Sequence, residues 1–291
     1  AEINYKKAID INPNEPKFLY NFSMFRYYLN ESDLTILQLE KISMLDKNDC
    51  GLKAEVNLAI LRFLADDFIK CREHLLASLK IFKKLTSDFH NYKNYHNYLS
   101  RILNWHKDRP LKELDVLFDK KLYVIGESHV LASHGLRVIT PRGNLLCKSL
   151  WILGCKQWHL GNSDRNKHKI KFESIISSLP KYSEIMLSIG EIDCRLDEGI
   201  IKHNNKYPHK KRRDLITTTV ANYLSYIYKI NSKQQNKITI QGVPCPNIDI
   251  KNISKEKVLE LTTLIKDFNI VLKKKSIEIG FHFLDVYNHS N

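Results

Sequence analysis

The chain has 291 residues, enough for two domains, and 43% of them are hydrophobic, the proportion of an ordinary globular protein rather than a disordered or fibrous one. It contains no run of 18 apolar residues, so a membrane-spanning helix of usual length is excluded. Lys and Arg number 46 against 32 Asp and Glu, a formal charge of +14, which excludes an acidic, solvating composition.

A basic excess of this size suits an acidic polymer as partner, either nucleic acid or an anionic glycan. The positives are nevertheless scattered through a chain rich in Lys, Asn and Ile, and compositional drift explains most of them. One dense block stands out, with Lys202, Lys206, Lys210, Lys211, Arg212 and Arg213 beside His203 and His209. Its Tyr207-Pro208 predicts a loop. No nucleic-acid motif accompanies the charge, so nucleic acid ranks last among the expected partners. The six cysteines (Cys50, Cys71, Cys147, Cys155, Cys194 and Cys245) form no CxxC or Cys/His ligand spacing. They read as reduced thiols, with no disulfide framework and no metal site expected and a cytoplasmic setting predicted. No signal peptide is visible. The sequence opens inside a helical pattern without Met, so its natural start is expected upstream.

Residues 1–110 hold almost no glycine and follow helical periodicity. Ala1, Tyr5, Ala8 and Pro13 have the spacing of small, aromatic, small and proline positions in the second helix of a tetratricopeptide repeat. Small residues let two helices approach closely, and proline ends the second of them. The phrase Tyr5–Asn14 resembles that repeat family, and residues 39–48 and 66–79 echo it more loosely. In the echoes Ile42 stands for Ala8, Lys47 for Pro13, and Cys71 and Ser78 fill small positions. These departures weaken the case for peptide binding but not for stacked helix pairs, so residues 1–84 are expected to be the end of a solenoid, with a protein partner as the docking expectation. Ser87-Asp88 predicts the cap of a further helix carrying Tyr92, Tyr95, Leu99 and Ile102 as a packing stripe. Arg109-Pro110 ends it, and residues 111–118 read as a linker.

From residue 119 onward the pattern alternates. Strand-length apolar runs occur at 122–125, 156–160, 184–189, 237–240 and 279–284, with helical stretches at 170–179, 214–230 and 254–275. Alternating β and α units predict a parallel sheet with helices on both faces. Sites on such sheets collect beyond the carboxyl ends of the strands. The phrases found there are Gly126-Glu-Ser-His129, Gly161-Asn162, Gly190-Glu-Ile-Asp-Cys-Arg195 and 242–247. Ser128, between a buried strand and a helix start, has two readings: a nucleophile beside free N–H groups, or simply a helix cap.

Gly126-Glu-Ser-His129 and Gly190-Glu-Ile-Asp-Cys-Arg195 together resemble the first and third blocks of the SGNH/GDSL hydrolase superfamily, over residues 119–291. Glu127 replaces the usual Asp, and the third block resembles a variant branch. The resemblance implies a three-layer, flavodoxin-like α/β domain after the all-α tetratricopeptide-like region. It also implies a serine esterase or acyltransferase acting without metal or cofactor on a small acyl ester, plausibly an O-acetylated carbohydrate. Ser128 would be the nucleophile. The oxyanion donors would be its own N–H and Gly161, with Gly154 as second choice. The family's oxyanion asparagine falls on Ile192, for which Asn162 or Arg195 would substitute. Asp285 and His289 stand where the family's Asp-x-x-His supplies its base, but with one residue too many between them. Either the block is irregular or it is expected beyond residue 291. Glu127, His129, Glu191, Asp193 and Arg195 are expected to bind substrate; for Glu191, Asp193 and Arg195 the alternative is an ion-pair turn that braces the sheet edge. Ile192 and the irregular block also leave open a helical scaffold with a degenerate, non-catalytic ligand-binding domain.

Overall fold

The structure is a computed structural model in which residues 2–85, 89–106, 118, 120–140, 143–247 and 253–290 are described. The chain divides into two compact units, Ala1–Leu117 and Phe118–Asn291.

The first unit is all-helical: α1 (Glu2–Ile11), α2 (Pro16–Tyr28), α3 (Ser32–Leu45), α4 (Asp49–Leu64), α5 (Phe68–Phe82) and α6 (His90–His106). Pro13 follows the end of α1, and Glu15 caps α2 through Lys17 N at 3.2 Å, with Pro16 in the first turn, where its missing N–H costs nothing. The three repeat-like phrases lie on or at the ends of α1, α3 and α5. Leu19, Leu39, Ile42, Ala54 and Leu58 form a buried cluster across α2, α3 and α4. Glu55, 3% exposed in the middle of α4, accepts from Ser43 Oγ and from His74 Nδ1 at 2.7 Å, tying α3, α4 and α5 together. Of the tyrosine stripe on α6, Tyr92 meets Tyr20 of α2, hydroxyl to hydroxyl, at 3.1 Å. This is packing, as expected. Ser87-Asp88, Arg109-Pro110 and the linker residues 111–117 lie outside the described residues.

The second unit carries a six-stranded sheet in the order β2-β3-β1-β4-β5-β6. Its strands are β1 (Lys121–Gly126), β2 (Arg137–Thr140), β3 (Gly143–Trp151), β4 (Glu184–Ser188), β5 (Lys237–Gln241) and β6 (His282–Leu284). The helices are α7 (Val130–Ser133), α8 (Gln157–Gly161), α9 (Lys167–Ser178), α10 (Gly199–Lys206), α11 (Arg212–Asn231), α12 (Lys255–Glu278) and α13 (Val286–Ser290). A 3-10 turn, Ile192–Cys194, follows β4.

Three expectations are corrected here. The sheet is mixed, not purely parallel, because β2 pairs antiparallel with β3 at the edge. Residues 156–160, expected as strand, instead fall on α8 and its N-cap, and the strand beside β1 is β3. The basic block, expected as a loop, is one only over 207–211: residues 202–206 belong to α10, and Arg212 and Arg213 open α11. Apart from β2, the strands run parallel in the order β3-β1-β4-β5-β6. From β1 the chain builds outward first on one side, to β3, and then returns to lay β4 on the other. The loops after β1 and β4 therefore diverge, which leaves a crevice at their carboxyl ends. Val124, Ile125, Ile185, Leu187, Ile238 and Ile240 fill the sheet's core, as strands covered on both faces require. Among the described residues no helix is long and apolar enough to cross a membrane.

Candidate active site

The crevice is set by two glycines. A Cβ on Gly126 would lie 2.0 Å from the Ser188 carbonyl oxygen, so only glycine lets the end of β1 approach the end of β4 this closely. Gly190 has φ +144°, in the region reserved for glycine, and turns the chain sharply after β4. The residues following these glycines, 127–129 and 191–195, consequently emerge side by side. Glu127, His129, Ser188 and Glu191 line one small hollow with residues 241–244, at and just beyond the end of β5. Asn269 of α12 fixes that third wall, accepting from Val243 N and donating to Val243 O, both at 2.8 Å.

Glu127 turns inward and is 2% exposed. Its Oε2 accepts from Ser128 Oγ at 2.7 Å and from His129 N at 3.3 Å, and its Oε1 meets His129 Nδ1. Burial pushes the Glu127 carboxyl up, but the hydrogen bonds and charge of His129, with the Ser128 hydroxyl, outweigh it and hold the carboxyl below its ordinary value. Burial likewise opposes charge on His129, yet Glu127 and then Glu191 raise its pKa. Ser128 itself is half-buried. It does not cap a helix: its hydroxyl is committed to Glu127, and α7 is only 4 residues long, too short for a substantial dipole.

Behind this row, Arg195 holds Glu191 in a fork, with Nε at 3.0 and 2.9 Å from the two oxygens and Nη2 at 2.7 Å. Glu127, His129 and Glu191 offer ligand atoms all within 4.8 Å of one another, so they could hold a divalent cation only if Arg195 and His129 released the carboxylates. As it stands, two carboxylates face an imidazole and a guanidinium, and the four can neutralise each other without an ion.

Asp193 points the other way. It is 1% exposed, and its carboxylate accepts from Gln157 N at 2.7 Å and Trp158 N at 3.2 Å, capping α8 from 36 residues away. Burial pushes its carboxyl up to about 6 despite those N–H donors. Asp193 is thus held as a brace, the alternative reading for this turn, and it forms no bond with Ser128 or His129. Gln157 completes the brace through Nε2 to the Ile189 carbonyl at 2.8 Å. Burial drives the thiols of Cys155 and Cys194 well above their ordinary range, which leaves them unreactive.

The other candidates lie elsewhere. Gly161 packs against Asn222 and Tyr223 of α11, and with Asn162 it lines a separate, larger cleft. Gly154, by contrast, stands three residues beyond Trp151, and Ser128 two beyond Gly126, its partner in the register of β3 and β1. Neither the Gly154 nor the Ser128 N–H makes a backbone hydrogen bond among the described residues. Asp285 accepts from Asn288 Nδ2 at 2.9 Å and pairs with Lys273 at 3.6 Å. His289 is exposed on α13, and no hydrogen bond joins it to Asp285 or Ser128. Both follow β6, three strands from β1, a sideways separation of about 14 Å. Gln157 and Asn269 shape the site, and no sequence motif marks either of them.

No protein-family model matches the chain, and no curated protein matches it either.

Proposed function

We propose that the second unit is a serine ester hydrolase of the SGNH type, acting on a small acyl ester such as an O-acetyl group on a carbohydrate. The observation that carries this reading is the Ser128 hydroxyl, half-exposed at the switch of an α/β sheet and hydrogen-bonded to a buried carboxylate that also grips an imidazole. In this mechanism Ser128 Oγ attacks the acyl carbonyl carbon. Its proton passes to the Glu127–His129 pair, whose carboxylate lies 2.7 Å from the hydroxyl oxygen. The N–H groups of Ser128 and Gly154 receive the oxyanion, each worth roughly 3 kcal/mol in the transition state. His129, the exposed member of the pair, returns the proton to the departing sugar oxygen. Water then repeats the sequence to release the acid. Arg195 keeps Glu191 in place beside His129, and both serve to orient the acceptor. Six free thiols suit a reducing compartment such as the cytoplasm, and the tetratricopeptide-like unit would dock a protein partner.

The test is turnover of an acetyl ester reporter by the parent and by Ser128→Ala. A loss of about 10³-fold or more fits a nucleophile removed from its base; equal rates reject the assignment. A scaffold that binds ligand without turnover is the second reading, favoured by the buried side chain of Ile192, 6% exposed, at the family's oxyanion asparagine.

A further inference from the structure

The basic block has no part in that chemistry, but it borders a wide cleft of the second unit. This hollow of about 790 Å³ lies between α8, α10 and α11, within the range of a small-ligand pocket. Lys156, Lys169, Lys210 and Lys229 line it as cations, Lys156 already paired with Glu198, and His203 lines it with its pKa lowered by burial and then by Lys210 and Lys206. The one acid in the lining is Asp193, whose carboxylate is already spent on the N–H groups of α8.

Lys169 is the informative residue. It is 8% exposed, and its ammonium donates to the Asn162 carbonyl and lies 4.8 Å from the centre of the Tyr226 ring. No carboxylate pairs with it among the described residues. The nearby Glu173 is engaged by the Tyr226 hydroxyl at 3.0 Å and by Arg165 at 3.7 Å. An ammonium with three N–H donors that meets one carbonyl and a ring, and no counter-charge, keeps donors to offer an anionic ligand. Along the floor, Thr218, Asn222 and Ser225 recur at helical spacing on one face of α11, offering uncharged hydroxyl and amide groups. At the rim Trp158 is 54% exposed, a flat apolar surface of the kind that stacks on a sugar ring.

We propose that this cleft binds an acidic carbohydrate chain: carboxylates meet Lys169 and the rim cations, hydroxyls meet the α11 stripe, and one ring rests on Trp158. Nucleic acid suits the lining less well, because a phosphate backbone calls for cations along an open track, whereas here they ring a hollow floored with neutral groups. The cleft and the hollow lined by Glu127 and His129 border one turn, Asp193 lining the first and Glu191 the second. Only the identity of the scissile ester rests on the hydrolase reading; the binding does not.

The experiment titrates Ser128→Ala protein, which binds without turnover, with trigalacturonate, with its carboxyl-reduced neutral counterpart, and with a single-stranded oligonucleotide. We expect the acidic trisaccharide to bind about tenfold or more tightly than the neutral one, and to weaken in about 0.5 M NaCl, as a screened charge contact does. Lys229→Glu, exposed and remote from the core, should weaken it about tenfold, the effect of reversing one rim charge. Lys169→Met should abolish the preference for acid over neutral. Equal affinity for the two trisaccharides, tighter binding of the oligonucleotide, or indifference to Lys229→Glu would overturn the proposal. Parent protein that hydrolyses an acetyl ester while Ser128→Ala ignores trigalacturonate overturns the cleft alone. Binding of the acidic trisaccharide without esterase activity upholds the cleft and removes only the hydrolase reading.

Discussion

Replacing Glu127 with Gln tests the pair at the centre of the site. The parent carboxylate is 2% exposed and takes three hydrogen bonds, from Ser128 Oγ, His129 N and His129 Nδ1. Glutamine keeps one acceptor oxygen for the first two and turns an amide N–H₂ toward the imidazole. The charge-assisted bond to His129 is lost, and bonds of that class contribute about 1.5–3 kcal/mol. Relief of the buried charge offsets part of this, and the imidazole, 43% exposed, is screened by water, so the net loss should be about 1–2 kcal/mol. The pH dependence carries a definite sign. Glu127 is lowered from 4.5 and His129 raised from 6.5, so the pair's contribution is complete between those two values. It fades as pH rises through the raised His129 pKa, and as pH falls through the lowered Glu127 pKa. Urea unfolding of parent and variant should therefore differ most at about pH 5.5 and less at about pH 9, while the His129 imidazole titrates at lower pH in the variant. The same stability difference at both pH values, or an unmoved His129 titration, would refute the coupling.

Three further outcomes follow from the same geometry. Asp193 is raised from 3.8 to about 6, so its contribution to stability falls as pH climbs through that window; the difference between parent and Asp193→Asn in urea midpoint should change across pH 4–6 and flatten above it. His168 is lowered from 6.5 to about 3 by burial, against a stacked His159 whose ring centre is 4.0 Å away. The parent should accordingly lose stability as pH falls below about 6.5, and His168→Asn should lose less, a contrast that thermal melts at pH 7 and pH 4.5 resolve. Asn269→Ala strips both partners from the Val243 backbone and should cost about 2–4 kcal/mol, with acetyl-ester turnover falling as the third wall of the hollow loosens.

Legibility in the sequence followed how local each cause is. The first, fourth and fifth strands were readable because Leu122–Ile125, 184–189 and 237–240 are apolar runs of strand length bounded by polar or glycine residues. The third strand was not, since Asn144, Lys148 and Ser149 interrupt its apolar pattern and its place is fixed by pairing with β1. Residues 156–160 were misread as strand because the start of their helix is capped by Asp193, a partner distant in sequence. The basic block was read as a loop from Tyr207-Pro208, although the pair merely separates two helices. Ser128 and the Gly190 turn were found from their positions after strands, and they do share one edge of the sheet. What spacing could not disclose was direction: Glu127 turns inward to hold Ser128, Asp193 turns away to brace α8, and Gly161 faces α11. Asp285 and His289 came near a pattern in sequence, with one residue too many, but two strands, β4 and β5, lie between theirs and the serine's.

The central claim is that the Ser128 hydroxyl is an activated nucleophile rather than a structural one. The most direct measurement is labelling with a fluorophosphonate, which forms a covalent bond only with an activated serine, followed by peptide mass mapping. The account predicts one label per chain, on the peptide containing Ser128, lost in Ser128→Ala and strongly reduced in Glu127→Gln. Absence of labelling in folded protein, or a label carried by any other serine, would contradict it.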